Sequence, residues 1–274
     1  MTNDSVLTDI GRLTAVLKDC GPVAIAVSGG VDSLTLAFVA HRELGGEAQM
    51  FHATSPAVPP SGTERVRRYA ESEGWALAVI DAGEFDDERY MANPANRCFY
   101  CKSNLYDALA RTTRRQLLSG TNLDDLGDWR PGLQAAAEHA VRHPFVEARI
   151  TKDMVRAIAR RYGLDEVAEL PGSPCLSSRV ETGIRIIPEA LRSIDEIERL
   201  VQRILNPKTV RCRIRSQGLV VELDEACYAS FDGGQRTKVL EELGHLSILQ
   251  KYPSTHAVEF VPYVRGSAFL RNET

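Results

Sequence analysis

Several features of membrane and secreted proteins are missing from this 274-residue chain. No apolar run approaches the roughly 20 residues that a transmembrane helix requires. The N-terminal segment alternates polar and apolar residues and includes Asp4, Asp9 and Asp19, without the basic start and apolar centre of a signal peptide. We therefore expect a cytoplasmic protein with no membrane partner. In that reducing compartment, the six cysteines do not predict a disulfide scaffold.

An excess of basic charge is also absent. The formal net charge is −4, whereas a constitutive binder of long nucleic acids usually has a clear basic excess. We therefore expect no nucleic-acid partner. Internal repeats and low-complexity segments are lacking as well. The length and the 43% hydrophobic content suit a globular protein with one large and one smaller domain.

Apolar runs and helical patterns alternate along the first 180 residues. The continuous apolar run 23–27 is typical of a strand buried on both faces, and a helical pattern covers 31–44. Further strands are predicted at 48–53, 75–80 and 116–119. Such alternation predicts an α/β domain with a parallel sheet and helices on both faces, which binds ligands at the carboxyl ends of its strands.

The pattern changes in the last third of the chain. Pro188 opens a helix to about Leu205, and strand-like runs follow at 209–215 and 218–223, then a strand at 257–262. We therefore predict two domains, a large α/β domain at 1–180 and a small C-terminal α/β domain at 181–274.

The segment Ser28-Gly29-Gly30-Val31-Asp32-Ser33 joins the first strand to its helix. Glycines let backbone amides approach an anion closely, and the helix N-terminus adds a positive dipole end. The hydroxyls of Ser28 and Ser33 can donate to phosphate oxygens. Asp32 would repel phosphate unless a cation intervenes, so we expect Mg²⁺ to bridge Asp32 and the pyrophosphate of ATP. The Walker lysine motif is missing.

Other polar residues follow later strands and one helix start. Gly120, Thr121 and Asn122 can cradle a nucleotide, and Asp124 or Asp125 can hold Mg²⁺; the alternative is a polar surface turn. Thr54 ends the second strand, where we expect adenine. Lys152 follows the helix cap Thr151 and either reaches the leaving pyrophosphate or is solvated. A capping box is also predicted at 61–64.

Three cysteines lie in motifs. Cys98 and Cys101 form a CxxC in Arg97-Cys-Phe-Tyr-Cys-Lys102, and Cys175 begins Cys-Leu-Ser-Ser-Arg179. A zinc site normally needs four protein ligands, and no fourth is evident. Three thiolates suit a [4Fe–4S] cluster with one open iron. Spacing alone leaves unligated thiols and a redox pair as alternatives.

Taken together, SGGVDS, RCFYCK, GTNLDDLGDWRPG, ITKDMVR and PCLSSR resemble the LarE family of sulfur transferases, which are PP-loop ATP pyrophosphatases. The resemblance covers most of residues 1–200 in motif order. It implies that ATP is cleaved between the α and β phosphates, with AMP transferred to pyridinium-3,5-biscarboxylic acid mononucleotide. Each carboxylate would become a thiocarboxylate for the nickel-pincer nucleotide cofactor. The resemblance also implies a homo-oligomer, with a hexamer as the expected form.

The LarE family has two sulfur sources. In one branch, a cysteine matching Cys175 attacks the acyl-adenylate, gives up its sulfur and becomes dehydroalanine. In the other, three cysteines hold a [4Fe–4S] cluster that carries an extra sulfide. Cysteine at 98, 101 and 175 resembles the cluster branch, in which Cys175 is a ligand rather than a consumed nucleophile.

An anionic substrate requires cations, and Arg179, which lies just after Cys175 in its motif, is the best candidate. Arginines 211, 213 and 215 alternate along a strand and so share one face. Guanidinium groups suit phosphate, although a solvated strand face is the alternative. The resemblance adds Ser178 and Glu198 to the expected substrate pocket, and the small domain is expected to contribute to substrate binding and oligomerisation.

Three other functions would also use the ATP motif. A tRNA-thiolating PP-loop enzyme should have a basic surface, which the net charge of −4 does not favour. An amide-forming ligase such as NAD synthetase has no use for the three cysteines. A non-catalytic nucleotide sensor has no reason to keep Asp32, Ser33 and the cysteines.

Overall fold

The computed structural model of the chain describes residues 3–127, 129–172, 174–244 and 258–269. The strands are β1 Val23–Ala26, β2 Ala48–Ala53, β3 Ala76–Ile80, β4 Gln116–Leu118, β5 Val210–Arg215, β6 Gly218–Leu223 and β7 Glu259–Pro262. The helices are α1 Asn3–Asp19, α2 Val31–Leu44, α3 Pro60–Glu73, α4 Glu88–Met91, α5 Arg97–Thr112, α6 Pro131–Glu138, α7 Pro144–Glu147, α8 Lys152–Arg161, α9 Asp165–Ala168, α10 Pro188–Leu205, α11 Glu225–Ser230 and α12 Gly233–Gly244. Within these ranges, every helix is too short or too polar to cross a bilayer.

The chain divides into two compact units. The first comprises Met1–Glu84 and Cys98–Ser173, and the second comprises Phe85–Arg97 and Pro174–Thr274. The second unit therefore begins before the sequence-based boundary at 180. It also includes the segment Phe85–Arg97, which lies within the range predicted for the first domain. Asn93 joins this segment to the second unit, because its side-chain amide donates to the carbonyls of Glu181 and Ile184 at 2.8 and 2.9 Å.

The sheet of the first unit has the order β3-β2-β1-β4, and all its pairings are parallel. Val23 and Ile25 face a core with residues of α1, α2, α3 and α8, whereas Ala24 faces a core with residues of α5 and α6. Because both faces are covered, the central strand β1 is apolar on both sides. The predicted α/β architecture with helices on both faces is confirmed.

Local sequence explains where the helices of this unit begin and end. The Thr151 hydroxyl accepts the Met154 N–H at 3.4 Å, as a cap of α8. Helix α3 starts one residue earlier than predicted, with Pro60 in its first turn and no side-chain cap. The capping box predicted at 61–64 is therefore wrong, because the proline ring presets the backbone for the first turn instead. Gly74 ends α3 in the left-handed conformation.

The second unit contains a separate small sheet with the order β5-β6-β7. Strands β5 and β6 form an antiparallel hairpin, and β6 pairs with β7 in parallel. Helix α10 buries Leu191, Ile194 and Ile197 and contacts β5. It ends at Asn206, whose positive φ of 49° marks a left-handed cap. A second, smaller sheet packed with helices agrees with the predicted fold class.

Candidate active site

The glycine-rich loop between β1 and α2 is closed on itself by serine side chains. Ser33 Oγ accepts the Ser28 N–H at 3.0 Å, lies 3.0 Å from Ser28 Oγ, and donates to the Gly30 carbonyl at 3.2 Å. Gly29 has φ of +85°, and a Cβ there would lie only 2.6 Å from the Gly62 carbonyl oxygen. Glycine is thus required both by backbone conformation and by contact with α3. These contacts define the shape of the loop, and α2 begins directly after it at Val31.

The three polar motifs of the first unit meet at Asp32. Asn122 Nδ2 donates to Asp32 Oδ1 at 3.1 Å, and Lys152 Nζ lies 2.5 Å from Asp32 Oδ2. Asp32 follows β1, Asn122 follows β4, and Lys152 begins α8. Because β1 and β4 are parallel neighbours, their carboxyl ends bring these side chains to one edge of the sheet. Both members of the ion pair remain partly exposed, so a ligand can reach them.

Gly120 allows the chain after β4 to approach the start of α2. A Cβ at Gly120 would lie 2.8 Å from the Ser33 amide nitrogen and 2.9 Å from the Asp32 carbonyl carbon. Thr121 Oγ1 lies 3.1 Å from Ser119 Oγ, which is 2.8 Å from His143 Nδ1. This part of the predicted nucleotide site is therefore built against the glycine-rich loop.

The two carboxylates of the same loop have protein partners. Asp125 accepts the Asn122 N–H at 3.1 Å and pairs with Arg130 at 2.7 Å. Asp124 accepts the Lys152 N–H at 2.8 Å and so caps the start of α8. These contacts shape the loop around Asn122. Mg²⁺ binding by Asp124 or Asp125 stays a prediction.

His52 is a structural residue of this site that the sequence reasoning missed. It is fully buried on β2, with Nδ1 2.7 Å from the Val27 carbonyl and Nε2 2.9 Å from Thr63 Oγ1. Burial lowers the pKa of His52, which favours the neutral ring. Nδ1–H then donates to Val27, and Nε2 accepts from Thr63. A histidine inside an apolar strand pattern was the available signal. Nearby, the backbone N–H of Thr54 donates to the Ile80 carbonyl at 3.0 Å, which fixes the end of β2.

Glu84 was also missed, because it lies in a loop rich in exposed acidic residues. It is 4% exposed, and burial raises the pKa of its carboxyl group. A hydrogen bond with the Ser55 side chain partly offsets this by lowering the pKa. The positive charge of Lys102 on α5 acts in the opposite direction to burial. Within the described residues, Glu84 Oε2 has no hydrogen-bond partner. Sequence alone cannot distinguish this buried acid from its solvated neighbours.

The motif cysteines are divided between the two units. Cys98 and Cys101 lie in the first unit at the start of α5, where a spacing of three residues puts them on one helix face. Cys175 belongs to the second unit. All three are half-buried thiols that form no disulfide. In the part of the chain that the structure describes, no three His, Cys, Asp or Glu side chains are grouped to hold a metal ion.

Arg179 organises the segment that carries Cys175. Its guanidinium is 2% exposed and forms a bidentate pair with Glu198 at 3.0 and 3.1 Å. Its Nη1 donates to the carbonyls of Pro174 and Cys175 and to Ser178 Oγ, at 2.7, 3.2 and 3.0 Å. Arg179 therefore holds the backbone on both sides of the thiol. That arrangement gives Arg179 a positioning role, whereas its binding of substrate stays a prediction.

A second buried ion pair continues this network. Arg213 is 4% exposed and donates to Glu222 Oε2 at 2.8 and 3.0 Å, and its Nη1 donates to the Ser178 carbonyl at 3.0 Å. Arg215 reaches Glu222 Oε1 at 3.1 Å, and the Ser267 hydroxyl donates to the same oxygen. On the arginine face of β5, Arg213 is therefore part of a buried network, whereas the Arg215 side chain is 26% exposed.

Arg211 lies on the same strand and is half-buried. Burial lowers the pKa of Arg211, and the nearby positive charge of Arg179 lowers it further. Its guanidinium also lies 5.9 Å from the centre of the Tyr263 ring. Concentrated arginine charge favours an anion, but Arg213 and Arg215 are already paired with Glu222. Substrate binding by Arg211, Arg213 and Arg215 stays a prediction.

Comparison with known proteins places the chain among its relatives. No family model matches the chain. It is 38% identical to the uncharacterized protein slr1717 of Synechocystis sp. over 203 residues, which are 73% of this chain and 75% of that protein. The chain belongs to the slr1717 family.

Two enzymes are similar to the chain at lower identity. Pyridinium-3,5-bisthiocarboxylic acid mononucleotide synthase of Lactiplantibacillus plantarum is 28% identical over 232 residues, which are 83% of each chain. One subunit of the glutamine-hydrolyzing GMP synthase of Methanopyrus kandleri is 26% identical over 193 residues, which are 65% of this chain and 62% of the synthase subunit. These similarities support an enzyme of the PP-loop class, in agreement with the fold.

Proposed function

We propose that the protein is an ATP-dependent, AMP-forming sulfurtransferase that acts on pyridinium-3,5-biscarboxylic acid mononucleotide. The observation that carries the proposal is the meeting of Asp32, Asn122 and Lys152 beside the glycine-rich loop. Similarity to a pyridinium-3,5-bisthiocarboxylic acid mononucleotide synthase supports the choice of substrate. The product would serve the nickel-pincer nucleotide cofactor.

The first half-reaction activates a carboxylate. A carboxylate oxygen of the substrate attacks the α-phosphorus of ATP, the bond to the α–β bridging oxygen breaks, and pyrophosphate leaves with the electron pair. Amides and hydroxyls of the loop Ser28–Ser33 would bind the pyrophosphate, and Mg²⁺ held by Asp32 would offset its charge. We infer that Lys152 exchanges Asp32 for a phosphate oxygen when Mg-ATP binds, because both partners are accessible.

The second half-reaction transfers sulfur. A sulfur nucleophile attacks the activated carbonyl carbon, and AMP leaves with the acyl oxygen. We propose that Cys98, Cys101 and Cys175 hold a [4Fe–4S] cluster, which would carry an extra sulfide as that nucleophile. The shared face of Cys98 and Cys101 suits two ligands from one helix. Arg179 would hold the Cys175 backbone in place through its contacts with the adjacent carbonyls.

Anaerobic purification with iron, acid-labile sulfide and pyrophosphate assays tests the proposal. We expect about four irons per chain, with loss of iron in Cys98→Ala, Cys101→Ala and Cys175→Ala. Cys227→Ala is the matched control, because this thiol lies on α11, outside the motifs. Pyrophosphate release should require the pyridinium dicarboxylate, and the acyl product should gain sulfur.

Each other outcome selects an alternative. Iron-free protein after anaerobic reconstitution, with a chain lighter by one H₂S after turnover, would make Cys175 the sulfur donor and exclude the cluster. Pyrophosphate release only with ammonia, or only with tRNA, would replace the proposed activity with amide formation or tRNA thiolation.

A further inference from the structure

The start of α3 is fixed against the glycine-rich loop by contacts that the sequence motifs do not include. The Gly62 backbone packs on Gly29, since a Cβ on Gly29 would lie 2.6 Å from the Gly62 carbonyl oxygen. Thr63 is joined through the buried His52 ring to the Val27 carbonyl, directly before the loop. Close backbone packing and a buried hydrogen-bond bridge leave little freedom between α3 and the loop.

Arg65 extends from this fixed helix to the loop itself. Its Nη1 donates to the Gly29 carbonyl at 2.7 Å, and the side chain is half-buried. A guanidinium carries five N–H donors in a planar fork, and this bond uses one of them. Over the described residues, no carboxylate forms an ion pair with Arg65.

The charges around the loop distinguish Arg65 from Lys152. Lys152 is already paired with Asp32 at 2.5 Å, so its charge is offset in the absence of ligand. Arg65 keeps its positive charge beside a loop whose amides and hydroxyls suit an anion. A planar guanidinium also suits the paired oxygens of a phosphate better than an ammonium group does.

We propose that Arg65 binds the β- and γ-phosphates of ATP and the pyrophosphate that leaves. This inference rests on the proposed function, because it assigns a further residue to the same ATP site. Arg65 would hold the leaving group from the α3 side, whereas Lys152 would reach it from α8.

The test is calorimetric binding of inorganic pyrophosphate with Mg²⁺, and separately of AMP, to the full chain. Arg65→Met should weaken pyrophosphate binding by roughly 10- to 100-fold, as expected for lost hydrogen bonds to a charged group. AMP binding should be unchanged, since AMP lacks the β- and γ-phosphates. Arg65→Lys should have an intermediate affinity, because it keeps the charge without the fork.

Arg68→Met is the matched control on the same helix. Arg68 is 57% exposed and pairs with Glu166 on the surface, so its loss should leave pyrophosphate affinity unchanged. Thermal unfolding of each variant separates binding from folding.

Unchanged pyrophosphate affinity in Arg65→Met would overturn the assignment. Equal losses of pyrophosphate and AMP affinity, with a lower melting temperature, would also overturn it and make Arg65 only a loop clamp. The proposed function fails in a different way, when the unmutated protein neither binds pyrophosphate nor releases it from ATP with the dicarboxylate; that result would overturn both.

Discussion

Lys152 Nζ lies 2.5 Å from Asp32 Oδ2, and this ion pair joins the start of α8 to the start of α2. The two side chains come from motifs that are far apart in the sequence. Because both are partly exposed, the pair contributes little to stability. The pair places a cation and a carboxylate beside the glycine-rich loop, where the proposed function needs both.

Loss of the Lys152 charge should reduce turnover rather than folding. We expect Lys152→Ala to lower substrate-dependent pyrophosphate release by about 10²- to 10³-fold, the usual cost of removing one preorganised charge stabiliser. Steady-state kinetics with a coupled pyrophosphate assay measure this. Lys18→Ala is the control, because Lys18 is an exposed lysine on α1. Wild-type turnover in Lys152→Ala would contradict the assigned role.

Gly120→Ala should displace the strand end that carries Asn122. The new Cβ would lie 2.8 Å from the Ser33 amide nitrogen, and such overpacking costs about 1–3 kcal/mol. We expect a lower melting temperature together with weaker ATP binding. Gly127→Ala tests the specificity of this effect, because nothing lies within 4 Å of a Cβ there. Equal stabilities of the two variants would contradict this prediction, because they would show that the chain around Gly120 accommodates a Cβ without loss of stability.

Removal of the Arg179 charge should leave the carboxylate of Glu198, whose side chain is only 13% exposed, without its ion-pair partner. We expect Arg179→Met to destabilise the protein by about 3–5 kcal/mol, measured by urea unfolding. The double variant Arg179→Met, Glu198→Leu should recover part of that loss, because no uncompensated carboxylate remains. The exposed pair Arg192 and Glu189 provides the control, with a cost of about 1 kcal/mol or less.

The Arg179 variants also test how the thiol is positioned. Alkylation of Cys175 should be faster in Arg179→Met than in the parent protein, since the carbonyls of Pro174 and Cys175 lose their shared donor. Mass spectrometry of the modified peptide measures the rate. An unchanged rate would mean that the segment keeps its shape without Arg179.

His52 should make stability depend on pH. Burial lowers its pKa below the ordinary value of 6.5, the hydrogen bond to the Val27 carbonyl acts in the opposite direction, and the nearby Arg67 adds to the lowering. As the pH falls below 6.5, the unfolded chain takes up a proton that the folded chain does not. Stability is therefore lost from pH 6.5 down to the folded-state pKa, by about 1.4 kcal/mol per unit of difference.

The measurement is urea unfolding of the parent protein and of His52→Asn between pH 5 and 8. The variant should lack the part of the pH dependence that comes from His52, while other histidines contribute equally to both proteins. Parallel curves over this range would exclude His52 as a source of the dependence.

Much of the first unit could be predicted because its central strand β1 is buried on both faces. The continuous apolar run 23–27 is visible in the sequence, and the glycine pair after Leu44 marks the end of α2. In the second unit, Pro188 marks the start of α10 in the same way. The start of α3 was missed by one residue, because a proline and a capping box compete for the same helix start.

The sequence by itself determined the α/β class, the glycine-rich loop and the polar motifs at the strand ends, because short-range periodicity and turn chemistry encode them. Only the tertiary structure decided which partners those residues have. It paired Asp32 with Lys152, buried Arg179 and Arg213 in carboxylate networks, and brought Arg65 to Gly29. These contacts depend on how distant segments pack, and residue identity does not reveal whether an arginine or a glutamate is buried or solvated.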